Sequence, residues 1–284
     1  MAIGTGGKPV GEQWFTAIEA TADRPAVLDT STANPARVYD YWLGGKDNFA
    51  ADRKAAHDAI AANPGILVEV RTNRGFLGRA VRLLAAEAGI RQFLDIGAGL
   101  PSGDNTHEVA QRIAPDSRVV YVDNDPMVAA HARALLTSST GGETCCLDAD
   151  LLDVGELLDQ ARQKLDFGQP IAVMMLMLLQ MIPDSEQPHE LVSRLMAAVP
   201  SGSYLVISHP AADLAAQQMA QMAERLNKLM AEKVTFRTEP QVARFFEGLD
   251  LVEPGMVRVQ QWRPDTEMEA KSPGALWGGM GRKA

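Results

Sequence analysis

The feature that most constrains this chain is a change of rhythm at Gly89. From there on, short β-rich apolar runs alternate with helical text, whereas the text from Asp29 up to it reads as helical alone. Alternation of that kind marks βαβ units, because parallel strands need a crossover helix to return the chain to the same sheet edge. Strands are predicted at 92–96, 118–122, 144–148, 171–178, 204–208, 251–260 and 275–281. The last two are joined by about fifteen residues with no helical pattern, which predicts an antiparallel hairpin. The expected fold class is therefore α/β, a doubly wound, Rossmann-like seven-stranded sheet behind an N-terminal helical preface.

In the preface, Asn34-Pro35 offers an N-cap and a proline at the first helical position, and Gly44-Gly45 offers a stop, so a helix is predicted at 35–43. A second is predicted at 50–62, and a third at about 66–88, interrupted by Gly75 and Gly78 and ended by Gly89. The chain then divides into a flexible N-terminus (1–28), a helical cap or lid (29–90) and a Rossmann-like core (91–284).

Composition removes several functions. The most apolar run, 171–182, is broken by Gln180 and stopped by Pro183, short of the roughly 20 residues that span a bilayer. A formal charge of −9 and a pI near 5.1 disfavour nucleic acid as a partner. The start carries no secretory pattern, so a cytoplasmic location is expected. Cys145 and Cys146 are adjacent and read as strand residues, and no His, Cys or Asp spacing suggests a metal site.

The chemistry concentrates at the strand ends. Gly97-Ala-Gly99 follows the first strand and precedes a helix capped by Asn105 or Thr106, so the backbone can approach a ligand at a helix N-terminus. Asp123 ends the second strand 28 residues after Asp95 and suits the two ribose hydroxyls of a nucleoside. Asp150, with Asp148 as second choice, closes the third strand where it can accept the amine of adenine. Asn124 and Leu151, beside these acids, are placed in the same cofactor site.

A nicotinamide-dependent oxidoreductase is the alternative within this architecture. Against it, Gly103 falls one position too late for the dinucleotide fingerprint and Pro101 sits inside the loop. The charge of Asp95 weighs more. A carboxylate there repels a pyrophosphate and attracts a cofactor that carries an ammonium and a sulfonium, which points to S-adenosylmethionine.

Several longer words resemble one known family, the actinobacterial S-adenosylmethionine-dependent methyltransferases long catalogued as a domain of unknown function. They are Asn34-Pro-Ala-Arg-Val-Tyr-Asp-Tyr-Trp-Leu-Gly-Gly-Lys-Asp-Asn-Phe49, Phe93-Leu-Asp-Ile-Gly-Ala-Gly-Leu-Pro101, Asn105-Thr-His-Glu-Val109, Val122-Asp-Asn-Asp-Pro126, Ile182-Pro-Asp184 and Trp262-Arg-Pro-Asp265. The resemblance implies a class I methyltransferase fold with strand order 3-2-1-4-5-7-6 and no particular substrate. It also implies a histidine after the fourth strand, where this chain reads Leu179-Gln-Met-Ile-Pro-Asp184. Gln180 cannot serve as a base.

Methyl transfer to oxygen or carbon needs a base, whereas a free amine or thiolate does not. Asp184, His209 and Tyr39 are the catalytic candidates, with a turn role for Asp184 and a helix-capping role for His209 as the structural alternatives. The aromatic and charged residues of the preface predict that 34–74 closes over the cofactor and walls the substrate pocket, with Tyr41, Gly45 and Arg71 (or Arg74) reaching the cofactor. An amphipathic helix at 213–233 covers the sheet or the site's rim, or forms a homodimer seam. His57, His107, His131 and His189 lie in helical text and are expected at the surface. The function expected is methyl transfer to a small-molecule acceptor, with a non-catalytic S-adenosylmethionine-binding regulator as the alternative from another class.

Overall fold

The parallel strands β1 (Gln92–Ile96), β2 (Arg118–Asp123), β3 (Glu143–Asp148), β4 (Ala172–Leu176) and β5 (Tyr204–Pro210) form where the apolar runs predict them. The computed structural model describes residues 28–135 and 141–284. The segment expected to be flexible, 1–28, lies outside the described residues except for Leu28. Strand order is β3-β2-β1-β4-β5-β8-β6, where β8 (Leu276–Arg282) runs antiparallel between β5 and β6 (Asp250–Leu251). The last strand is thus inserted before its predecessor, the order that the family resemblance implies.

One expectation needs correction. The strand predicted at 251–260 is two short pieces, β6 and β7 (Val257–Arg258), both paired with β8. Between them Pro254 lacks an N–H for the ladder and Gly255 turns at φ +87°. A 3-10 turn at Val259–Gln261 takes the end of the predicted strand, and a short helix, α10 (Glu267–Ala270), stands in the connection predicted to be free of helix. Thr266 starts α10 by accepting a hydrogen bond from Glu269 N.

Alternating strand residues feed two apolar layers. Leu94, Ile96, Val120, Val122, Val173 and Leu205 face α6 (Val154–Arg162) and α7 (Pro188–Ala198), while Phe93, Tyr121, Met174 and Val206 face α3 (Ile66–Arg82) and α4 (Thr106–Ile113). Helix α3 runs through Gly75 and Gly78 without interruption and continues as a π turn, Leu83–Glu87. Each helical glycine costs about 1 kcal/mol, which burial of Phe76, Leu77, Ala80 and Val81 outweighs. Arg79 locks α3 to the C-terminal segment by donating to the carbonyls of Val259 and Trp262 and pairing with Glu269.

Helices α1 (Pro35–Leu43) and α2 (Ala50–Ala62) have the predicted bounds. Asn34 caps α1 by accepting from Ala36 N and Arg37 N. Buried Asp52 ties the two helices together, pairing with Arg37 and accepting from the amides of Asn34 and Phe49. Both pack on α8 (Ala216–Leu229), shorter than the predicted 213–233, in a third cluster that includes Val38, Trp42, Ala55, Ala59, Met222, Leu226 and Met230. That cluster stands beyond the C-terminal ends of β1, β4 and β5 and closes a cavity there.

Candidate active site

The cavity, of about 300 Å³, begins in the loop after β1. Gly97 turns at φ +74°, and a Cβ on it would stand 2.6 Å from Leu178 Cδ1, so only glycine lets the loop lie against the β4 segment. Gly99, at φ +63°, donates its amide to Asp123 Oδ2 at 2.9 Å. Asp123 Oδ1 accepts from Asp125 N at 3.0 Å, and burial nonetheless raises its pKa. Asp150 holds the third strand end, accepting from Asn124 Nδ2 and Leu152 N, with buried Leu151 beside it. Asp148 does not line the cavity.

Asp95 is the most constrained of these acids. Only 6% exposed, it accepts one side-chain hydrogen bond, from Thr106 Oγ1 at 2.6 Å, and burial pushes its carboxyl up to about 6. A cationic group placed beside it would restore the carboxylate, whereas a pyrophosphate would meet like charge. The buried acid, the glycine cradle and the second acid at the end of β2 therefore fit S-adenosylmethionine.

The preface supplies the facing wall through Asn34, Val38, Tyr39, Asp40, Trp42 and Leu43, with Asn73 and Arg74 from α3. Tyr39 accepts from Asn73 Nδ2 and donates to Val70 O, and Asn73 Oδ1 in turn accepts from Ser208 Oγ. Met177, strained at φ +53°, donates its amide to Ser208 Oγ. This chain of bonds fixes the β4 end against α1 and α3.

Three preface expectations are corrected. Tyr41 points away from the cavity and bonds His57 Nε2 at 2.7 Å. Gly45 does not line it either; its lack of a side chain makes room for Asp40, whose carboxylate a Cβ would strike at 1.9 Å. Arg71 is exposed on α3, and the lining arginine is Arg74, one turn on, which donates to the carbonyls of Gly103 and Asp104.

Two of the catalytic candidates also stand elsewhere. His209 is fully buried on β5 outside the lining, its Nδ1 on Pro210 O and its Nε2 3.0 Å from Arg237 Nη1. Burial pushes its pKa down to about 3, and it caps no helix. Asp184 pairs with Arg237 at 2.7 Å outside the cavity. Buried Arg237 also donates to the carbonyls of Leu179 and Ile182, so this group shapes the loop after β4 without touching the space inside. His107, expected at the surface, is 4% exposed because Tyr121 bonds both its amide and its ring. Glu232 and Phe236, which also line the cavity, follow α8 in a stretch that carries no recognisable motif.

With this geometry in place, the comparisons are decisive. The family model for S-adenosyl methyltransferases matches residues 21–284. The chain belongs to that family. This S-adenosyl methyltransferase is 42% identical to a DUF574 family protein from Streptomyces avermitilis, whose crystal structure superposes with a TM-score of 0.87 over 90% of this chain and 99% of that one. A Thermobifida fusca protein named for a proposed methyltransferase activity is 40% identical, with a TM-score of 0.83 over 93% and 99% of the two chains. No protein of curated function matches. The cofactor is S-adenosylmethionine and the reaction is methyl transfer, which removes the nicotinamide alternative. Among the described residues no helix is long and apolar enough to cross a membrane.

Proposed function

We propose that the methyl acceptor is a small molecule held in the apolar half of the cavity, between α1, α8 and the loop after β4. One observation carries this reading: the strand-end cradle opens without interruption into space lined by Trp42, Met177, Met181, Met222, Leu226 and Phe236. Such a wall encloses an apolar ligand, and flexible methionines adapt to its shape.

In the polar half, Asp95 receives the cofactor's ammonium, Asp123 the ribose hydroxyls, and Asp150 with Asn124 the adenine amine, while Leu151 packs on the ring. Gly97 and Gly99 allow the close approach. Arg74 holds the loop and adds positive charge near the cofactor's carboxylate. When bound, the cofactor supplies a methyl group made electrophilic by a sulfonium. The chain's own task is to align the acceptor and keep water out. Tyr39 positions the β4 end through Asn73 and Ser208.

In this reading 29–90 is the cap and 91–284 the core, although α3 packs on the sheet while α1 and α2 pack on α8. Calorimetry with S-adenosylhomocysteine, followed by a complex structure with an acceptor, tests the assignment. An acceptor bound outside the Trp42–Met222 wall rejects it.

A further inference from the structure

The word Asn105-Thr-His-Glu-Val109 begins α4 directly behind the loop after β1, and each of its first four residues is held by a hydrogen bond. Asn105 Oδ1 accepts from Ser102 N at 3.0 Å, and Glu108 Oε2 accepts from Asn105 N at 2.7 Å, which sets the start of the helix. The His107 amide donates to the Tyr121 hydroxyl at 2.9 Å, and the same hydroxyl bonds His107 Nδ1. Between these fixed neighbours stands Thr106, 1% exposed. A threonine hydroxyl in the first turn of a helix ordinarily bonds nearby backbone. This one crosses to β1 and donates to Asp95 Oδ2 at 2.6 Å.

That bond carries unusual weight because of what Asp95 lacks. Asp123 accepts two backbone amides, and Asp150 accepts one amide and the side chain of Asn124, so each of these carboxylates has two donors. Asp95 has Thr106 alone. Its register partners on β2 and β4 are Tyr121, whose hydroxyl is spent on His107, and apolar Met174. Of the charged groups around it, Arg74 favours the carboxylate from α3 and Asp123 opposes it from β2. Burial opposes it most strongly, so the ionised form depends on the Thr106 hydroxyl. Asp95 Oδ1 accepts no hydrogen bond, yet it is not among the sealed, unpartnered oxygens of the described residues. Since Asp95 lines the cavity, this is the oxygen open to a ligand.

We propose that Thr106 is a positioning residue for the cofactor: its hydroxyl grips Asp95 Oδ2, keeps the acid ionised and leaves Oδ1 to receive the ammonium. This rests on the reading that Asp95 binds that ammonium. The consequence is a pH window. With the hydroxyl removed, the neutral acid gains on the carboxylate, and Asp95 must release a proton before it can receive the ammonium. Affinity is then lost first on the acidic side and recovered as pH rises.

The test is the affinity of the full chain for S-adenosylhomocysteine, measured by calorimetry across this window in wild type, Thr106→Val and Thr106→Ser. Thr106→Val keeps the shape and loses the hydroxyl, so its profile should move up by about one pH unit: roughly tenfold weaker than wild type near pH 5.5, and within about twofold of it near pH 8. Thr106→Ser keeps the hydroxyl and should follow the wild type. Methylthioadenosine, which carries the nucleoside and no ammonium, should bind wild type and Thr106→Val equally at each pH. If Thr106→Val does not fold, Thr106→Ala removes the same hydroxyl and takes its place in the comparison. A loss that is the same at every pH, or one that methylthioadenosine shares, would mean that Thr106 only packs the start of α4, and overturns the proposal. So does a Thr106→Ser profile that matches Thr106→Val. Asp95→Asn separates these results from a failure of the cofactor reading. Unchanged S-adenosylhomocysteine affinity in that variant removes Asp95 from the cofactor, whereas a large loss there beside a wild-type profile in Thr106→Val rejects Thr106 alone.

Discussion

The strand-end half of the cavity is drawn from one window, Asp95 to Leu151, in which each acid stands at the C-terminal end of its own strand. The apolar half is gathered from four places, α1, the loop after β4, α8 and the 230–236 segment. The first half has fixed chemistry because its groups are backbone turns and carboxylates set by the sheet. The second is made of side chains whose neighbours come from distant sequence. A cofactor site can thus be held constant across a family while the acceptor wall changes one residue at a time.

The largest expected effect comes from the residue where the halves touch. Gly97→Val forces a β-branched residue into a left-handed conformation and pushes Leu178, which lines both halves. A cost of about 2–4 kcal/mol is expected, with S-adenosylhomocysteine affinity down by more than about 100-fold and the acceptor wall disturbed as well. Calorimetry and a melting curve measure both. Wild-type affinity in this variant would mean that the loop does not approach the cofactor.

Next in size is Asp123→Ala. Charge-assisted bonds to the ribose are lost, and Gly99 N and Asp125 N lose their acceptor. Affinity for S-adenosylhomocysteine should fall by about 1.5–3 kcal/mol, roughly ten- to a hundredfold. Met181→Ala is the control from the other half, with cofactor affinity unchanged and the acceptor KM raised. Equal cofactor losses in the two variants would abolish the distinction.

Legibility follows the same division. Strands β1 to β5 and helices α1 and α2 were readable because period and caps act locally, and so were Asp95, Asp123 and Asp150 at the strand ends. The split of the sixth strand was less so: Pro254 and Gly255 were in view, but only β8 decides that both fragments pair. Tyr41 and Arg71 misled because composition places a segment near a site without saying which face turns inward. On α3 that choice is made by the packing of Phe76 and Leu77, which turns Arg74 toward the cavity and Arg71 to solvent. Nothing in one sequence marks Glu232 or Phe236, since their role exists only once α8 has docked on α2.

A smaller, pH-dependent effect separates the halves without mutation. Asp95 titrates near 6 when folded and ligand-free, against 3.8 for a free side chain. Between these values the folded state binds more protons, so ligand-free stability from this group rises as pH falls from about 6 to about 4. The full swing is on the order of 3 kcal/mol. Affinity for S-adenosylhomocysteine moves the opposite way, because the ammonium needs the carboxylate, and should fall by up to about tenfold per unit below pH 6. The burial-raised pKa of Asp123 adds to the same trend. A thermal shift on ligand addition that stays constant from pH 7.5 to about 5 would remove Asp95 from the cofactor.

The smallest expected effect is the most discriminating, because it compares two arginines one helical turn apart. Arg71 is exposed and does not line the cavity, so Arg71→Ala should change cofactor affinity and stability by no more than about 0.5 kcal/mol. Arg74 crosses to the loop after β1 and binds the carbonyls of Gly103 and Asp104, which would otherwise leave that loop free to drift from Asp123. Arg74→Ala should therefore cost about 1–2 kcal/mol in S-adenosylhomocysteine affinity, since bonds to a charged donor and a local positive charge are lost together. Most of that loss should persist at 0.5 M salt if the contacts with the carbonyls dominate, and most should vanish if Arg74 acts only as a distant charge. A larger effect at Arg71 than at Arg74 would mean that α3 turns its other face to the cofactor when the site is filled.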